Sequence, residues 1–334
     1  MSKIAILGGG SWGTGLAVVL AHSRRRHEMR LWVREPNIVQ CIQNTRQNPV
    51  YLPEVSLPES IYASTDVGEV LHEAQIVIGA VPSAFAREVF AQALPHIPVD
   101  AAIVSATKGL EPATRLRMSE VIDQVFSLRF VPRIAVLSGP SFALEAARGD
   151  PTAVVIASKD RALACFLQEE FAGPNFRLYT NDDVHGVELA GAMKNVMAIA
   201  AGASQGLGLG ANALAALITR GLAEMTRLAV ATGGKWETLS GLAGLGDLVL
   251  TCYGQLSRNR HVGFELGRGR ALNEILAEMK MVAEGVGTTD ALIALARERR
   301  IELPITEQVY SILRLGNSPR DAIRAIMERP LRRE

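Results

Sequence analysis

The sequence predicts an α/β protein in two parts, a mostly parallel sheet domain over residues 1–180 followed by an all-helical domain over residues 181–334. Three observations predict it. Short β-branched runs alternate with helical stretches up to Thr180, the pattern of strands joined by crossover helices. After Thr180 the strand signal stops, and long apolar patterns of helical period take over. The chain of 334 residues also exceeds the usual size of a single core, so two domains are the default expectation.

Taken in order, the first element is the run Lys3-Ile-Ala-Ile-Leu, which passes straight into Gly8-Gly-Gly10-Ser11-Trp12-Gly13. Gly8, Gly10 and Gly13 have the G-x-G-x-x-G spacing: one glycine for a tight turn, one for close approach of a pyrophosphate, one for helix against strand. A helix entered at about Ser11, carrying the apolar face of Thr14-Gly-Leu-Ala-Val-Val-Leu-Ala21, points its unpaired N–H groups at the phosphates. Glycine triplets are common in ordinary turns; the strand before and helix after favour a dinucleotide site. Further strands are expected at 29–33, 74–81, 101–106, 133–137, 152–157 and 176–179, which together make a Rossmann-like sheet. Their ends carry Pro82-Ser83, Thr107-Lys108-Gly109 and Ser138-Gly139-Pro140-Ser141. Ligands of open α/β sheets bind outside such carboxyl ends.

In the second part, helices are expected at about 183–203, 211–231, 273–281 and 289–299. Two later ones have readable starts at Thr306 and at Ser318-Pro319. The glycine-rich stretch from Gly202 to Gly210 has no strand before it and reads as a loop between helices. Arg220 and Glu224, at i,i+4 spacing, are expected to pair along their helix, and Leu331-Arg-Arg-Glu334 reads as a frayed end.

Composition narrows the class. Lys plus Arg number 35 against 34 Asp plus Glu, so whole-chain charge gives no case for nucleic acid or a membrane surface. Cys41, Cys165 and Cys252 are isolated and lack C-x-x-C spacing, which argues against a disulfide framework or a metal site and fits a reducing cytoplasm. No charged leader or membrane-length apolar run is evident, so a soluble, unprocessed protein is expected.

Several residues carry chemistry. The second strand of a dinucleotide fold usually ends in Asp or Glu, which binds the adenosine ribose and repels a 2′-phosphate. Here Arg34 stands at that point, followed by Glu35. Arg34 suits a 2′-phosphate or an adenine face, the alternative being a solvated strand-end arginine. NADP(H) is therefore expected, with NAD(H) accepted because Glu35 is adjacent. Lys108 follows the 101–106 strand and can hold a phosphate or polarise a carbonyl, or be an exposed loop lysine. The loop Ser138-Gly-Pro-Ser141-Phe-Ala143, with its N–H groups and hydroxyl, is expected to line the same cleft.

Lys194 sits on a helix whose preceding face is Gly191, Ala190 and Val187. An ammonium on such an apolar face is a candidate general acid or base; the alternative is a lysine that snorkels to water. Asp247 ends the glycine-punctuated Gly241-Leu-Ala-Gly-Leu-Gly246 and is able to orient that ammonium or a substrate hydroxyl, or to cap a helix. Ser257-Arg258-Asn259 follows, with the guanidinium a fork for phosphate oxygens.

With these residues assembled, the chain resembles the bacterial NAD(P)-dependent glycerol-3-phosphate dehydrogenases over essentially its whole length. The blocks carrying the likeness are Gly8-Gly-Gly10-Ser-Trp-Gly13-Thr, Ala106-Thr-Lys108-Gly-Leu, Leu137-Ser-Gly-Pro-Ser-Phe-Ala143, Ala192-Met-Lys194-Asn-Val, Ala216-Leu-Ile-Thr-Arg-Gly221, Gly244-Leu-Gly-Asp247-Leu, Ser257-Arg-Asn259 and Val282-Ala-Glu284-Gly. The resemblance implies that Ser11, Trp12, Arg34, Lys108, Ala143, Arg258, Val282 and Glu284 face the cofactor. It implies that Lys108, Gly139, Ser141, Lys194, Asp247, Ser257, Arg258 and Asn259 surround glycerol 3-phosphate, with Lys194 as the proton carrier. It further implies reduction of dihydroxyacetone phosphate for phospholipid synthesis, and a homodimer. Gly9 in the free position of the glycine motif and Ser141 at a place where Thr is the alternative are conservative variations. Other readings are a hydroxyacid or hydroxyacyl dehydrogenase of similar plan, or a non-catalytic NADP(H) sensor.

Overall fold

A computed structural model describes residues 2–331 of the chain, which divide into two units; the frayed end expected at 331–334 lies, but for Leu331, outside the described residues. Among the described residues the first unit comprises 2–108 and 116–188, the second 109–115 and 189–331.

The first unit is built on ten strands: β1 (Ser2–Leu7), β2 (His27–Trp32), β3 (Gln47–Asn48), β4 (Leu52–Ser56), β5 (Ile61–Ser64), β6 (Ile76–Gly79), β7 (Ala102–Ser105), β8 (Arg133–Ser138), β9 (Thr152–Ala157) and β10 (Phe176–Asn181). Eight of them form one sheet in the order β10-β9-β8-β7-β6-β1-β2-β5. From β5 to β8 all neighbours run parallel. The order reverses where β1 pairs with both β2 and β6, the topological switch point at which such sheets take ligands.

Both faces of the sheet are covered. In β1, Ile4 and Ile6 enter one apolar cluster with Leu16, Leu20 and Met29, while Ala5 and Leu7 enter another with Phe90, Ile122 and Phe126. That alternation is why the strands read as continuous apolar runs. The pair β9 and β10 is parallel within itself, but β9 runs antiparallel to β8. A strand buried on both faces has the same composition in either direction, so the sequence does not disclose this. The strand β5 and the hairpin of β3 with β4 are additions to the expected set.

Every described secondary-structure element of the second unit is a helix, the segment 109–115 being irregular. Its long helices are Val184–Gly206, whose first turn belongs to the first unit, and Ala211–Ala231; then come Arg258–Gly267, Glu284–Arg299, Pro304–Arg314 and Pro319–Met327. Ser318 caps the last, accepting from Asp321 N at 3.1 Å, as the sequence indicates. The glycines read as a loop are in part helix. A Cβ on Gly202 would lie 1.9 Å from Arg260 O, and one on Gly263 1.9 Å from Ile199 O. Gly206 and Gly267 meet in the same crossing, so helices Val184–Gly206 and Arg258–Gly267 approach backbone to backbone.

The helix start expected at Thr306 lies at Pro304, and its cap comes from elsewhere in the chain. The Glu224 carboxylate, expected to pair with Arg220, accepts from Ile305 N, Thr306 N and Thr306 Oγ1. Its oxygens thus take the place of a side-chain N-cap. Burial pushes the Glu224 carboxyl up to about 7 against these favourable contacts.

Candidate active site

The glycine turn shows why each glycine is there. Gly8 has φ +124°, and a Cβ on it would meet Ala80 O at 2.7 Å. Gly13 lies so close to Gly8 O that a Cβ would come within 1.8 Å. Gly9, which the motif leaves free, is constrained by Val33 Cγ2 at 2.6 Å. Gly10 differs: its Cβ position meets nothing within 4 Å. The protein itself does not require glycine there, whereas a pyrophosphate lying against the backbone would. Gly10 is also the N-cap of helix Ser11–Ala21, whose first N–H groups lack intrahelical acceptors. The turn fits a dinucleotide.

A segment with no motif of its own, residues 48–51, holds this turn. Asn48, fully buried, donates from Nδ2 to Gly9 O and to Thr14 Oγ1, both at 2.9 Å. Its Oδ1 accepts from Tyr51 N, and Tyr51 O accepts from Ser11 Oγ at 2.6 Å. Trp12 packs against the adjoining core. At the end of β2, Arg34 donates to Glu35 Oε1 from Nε and Nη2, and its guanidinium is largely exposed.

At the carboxyl ends of β7 and β8, Lys108 Nζ donates to Gly139 O at 2.7 Å and to Ser141 Oγ at 3.3 Å. The structure therefore brings together the lysine and the loop that the sequence places at one cleft. Gly139 has φ +130° and a Cβ there would press on Val154 Cα, so this carbonyl is aimed by a conformation that favours glycine. Ala143 opens helix Ala143–Arg148 and packs on Gly15 of the first helix.

The helical unit gathers a second group. Lys194 is buried, with Nζ 2.8 Å from both Asp247 Oδ1 and Thr251 Oγ1. It does not snorkel, and Asp247 serves it rather than a helix cap. Thr251, one turn beyond Asp247 on helix Asp247–Tyr253, donates its own proton to Asp247 O at 2.6 Å. Its oxygen is thereby turned to accept from the ammonium. An ammonium has three N–H donors, so two are fixed by the protein and one remains. Cys252 lies beside these groups, and burial pushes its thiol up to about 12.

Ser257 caps helix Arg258–Gly267 through Arg260 N. Arg258 Nη1 donates to Val282 O at 2.8 Å, joining two residues expected at the cofactor. Asn259 is buried: its Nδ2 donates to Asn195 Oδ1 and its Oδ1 accepts from Gly285 N, one residue after Glu284. The start of helix Glu284–Arg299 is thereby tied to the residue following Lys194. Thr251 was discoverable from i,i+4 spacing; Asn48 and Tyr51 carry no local signal.

With this geometry in view, comparisons with known proteins are specific. Residues 3–164 match the family described as NAD-dependent glycerol-3-phosphate dehydrogenase N-terminus, and residues 183–324 its C-terminus. The chain is 55% identical to a glycerol-3-phosphate dehydrogenase [NAD(P)+] of Koribacter versatilis, covering 99% of this chain and 98% of the relative. A crystal structure of glycerol-3-phosphate dehydrogenase from Coxiella burnetii is similar with TM-score 0.92 and 44% identity, covering 98% of this chain and 99% of that one. A ketopantoate reductase from Ralstonia eutropha, at 19% identity and TM-score 0.61, shares the fold.

Proposed function

Because the chain belongs to the NAD-dependent glycerol-3-phosphate dehydrogenase family, we propose as its function the reversible reduction of dihydroxyacetone phosphate to sn-glycerol 3-phosphate. It is an NAD(P)-dependent oxidoreductase, and the nicotinamide, when bound, would supply the hydride for the C2 carbonyl. The chain's own residues hold the reactants and move the proton.

The observation that carries the residue assignment is the buried Lys194 ammonium with two of its three N–H groups on Asp247 and Thr251. Its third N–H is left for the substrate oxygen that becomes an alkoxide, so Lys194 is the proton donor in reduction and acceptor in oxidation. Asp247 and Thr251 keep Nζ in place. Lys108, Gly139 and Ser141 are assigned to the polar end of the substrate, and Ser257, Arg258 and Asn259 to its phosphate. The glycine turn, Ser11, Trp12, Arg34, Ala143, Val282 and Glu284, with Lys108 and Arg258, are assigned to the cofactor. Residues 1–180 then act as the dinucleotide domain and 181–334 as the substrate and catalytic domain.

NADPH is proposed as the preferred reductant because of Arg34. The product serves phospholipid synthesis in the cytoplasm, and a homodimer is proposed on the family resemblance alone, since Leu214, Leu217, Ile218 and Leu222 of helix Ala211–Ala231 pack against the core of their own unit. No described helix is long and apolar enough to cross a membrane. The test of the assignment is Lys194→Ala: turnover of dihydroxyacetone phosphate should fall at least a hundredfold with NADPH affinity nearly unchanged. Retained turnover would refute it.

A further inference from the structure

We propose that Tyr51 is a positioning residue that sets the preference for a 2′-phosphate by holding the Glu35 carboxylate against Arg34. The proposal rests on the reading that Arg34 faces the adenosine 2′ position. At the end of the second strand a carboxylate ordinarily favours the ribose hydroxyl and repels a phosphate. This chain has such a carboxylate in Glu35, beside an arginine suited to the phosphate, and the two residues would work against each other unless the carboxylate is restrained.

The structure contains the restraint. Glu35 Oε1 receives Arg34 Nη2 at 2.7 Å, Arg34 Nε at 3.2 Å and the Tyr51 hydroxyl at 3.3 Å. One oxygen thus takes three donors, and its charge is countered by the guanidinium. Tyr51 is itself anchored, its N–H on Asn48 Oδ1 and its carbonyl on Ser11 Oγ, so its hydroxyl is placed from the glycine turn that cradles the pyrophosphate. Burial, followed by the Glu35 charge, raises the phenol above its ordinary value, so it stays protonated well beyond neutral pH.

The guanidinium side chain is 72% exposed and that of Glu35 27%, so the arginine retains donors towards solvent while the carboxylate is drawn in. A phosphate dianion approaching this pair meets the fork of Arg34 and a charge already compensated. Removal of the Tyr51 hydroxyl frees Glu35 to accept from a ribose 2′-hydroxyl and to repel a 2′-phosphate. Tyr51 acts through Glu35, without any contact of its own to the cofactor.

The test uses isothermal titration calorimetry of the whole protein with two probes, adenosine 2′,5′-diphosphate and adenosine 5′-diphosphate. Arg34→Ala should lower affinity for the first at least about tenfold and leave the second within about twofold. Tyr51→Phe should lower the ratio of the two affinities by roughly fivefold, the scale of one hydrogen bond. In a Glu35→Gln background, with no carboxylate charge to restrain, Tyr51→Phe should leave the ratio unchanged. An unchanged ratio in Tyr51→Phe alone overturns the proposal, as does an equal loss with and without Glu35→Gln, which would mean direct contact. If Arg34→Ala leaves the ratio unchanged, the reading of Arg34 falls as well, a result distinct from the other two.

Discussion

Thr251→Val probes the proposed proton-transfer centre with little change of shape. Thr251 is 3% exposed, and its hydroxyl accepts from Lys194 Nζ at 2.8 Å while donating to Asp247 O at 2.6 Å. Valine fills the same volume, so no cavity opens and the change is confined to the lost hydroxyl. A hydrogen bond to a charged group contributes about 1.5–3 kcal/mol, and about 1.4 kcal/mol is a factor of ten in rate. If the bond fixes the ammonium against the substrate oxygen, kcat/KM for dihydroxyacetone phosphate should fall roughly 10- to 150-fold. Stability should fall too, by about 1–3 kcal/mol, because a buried N–H loses its acceptor. The assay is steady-state oxidation of NADPH with the ketone varied, accompanied by urea denaturation, with Thr251→Ser as the rescue. Serine restores both bonds and should recover activity to within about threefold of the parent. Valine within about twofold of the parent, or serine as impaired as valine, would refute the assignment of Thr251 to the positioning of Lys194.

Three further perturbations test other parts of the structure. Gly263→Ala places a Cβ 1.9 Å from Ile199 O, a backbone atom, and should cost about 1–3 kcal/mol or more in urea denaturation; an unchanged midpoint would mean that the helix crossing yields freely. Asn48→Ala removes both donors that brace the glycine turn, and NADPH binding followed by fluorescence should weaken about tenfold with the KM for the ketone unaffected. Glu224 has a carboxyl raised by burial from 4.5 to about 7, so between those values the native state binds its proton more tightly than the unfolded chain, and this residue's contribution to stability declines as pH rises through that window. Glu224→Gln should therefore gain in Tm relative to the parent from pH 5 to pH 8, and a difference independent of pH would contradict the burial argument.

How much was legible in the sequence depended on the range of the interactions involved. The glycine turn is a local device: strand, turn and helix start adjoin in the chain, and positive φ at Gly8 and steric closeness at Gly13 require residue types that spacing alone displays. The covered sheet was legible because burial of both faces leaves continuous apolar runs, as in β1 and β6. Lys194 was conspicuous as a cation on a helix face of small and apolar residues, and the Ser318-Pro319 start carried its own cap.

What the sequence left open were matters of partner and direction. The stretch from Gly202 to Gly210 reads as a loop because it is glycine-rich and has no strand before it, and the helix expected before it stops at about residue 203, whereas the helix continues to Gly206. The reason for Gly202 and Gly206 lies in Gly263 and Gly267 on another helix, whose backbone they must approach. Glu224 has an arginine at helical spacing, yet its carboxylate caps a helix some eighty residues later. The antiparallel entry of β9 leaves no mark on its composition. Thr251 and Asn48 are ordinary polar residues until folding turns one towards Lys194 and the other towards the Gly9 carbonyl.

The sequence by itself determined the fold class and the cofactor class and displayed the residue types that the proposed proton transfer uses, because those follow from local sterics, periodicity and chemical identity. Only the tertiary structure decided which donor meets which acceptor. Hydrogen bonds and close backbone contacts act over about 3 Å, and residues distant in sequence come within that range only when the chain is folded.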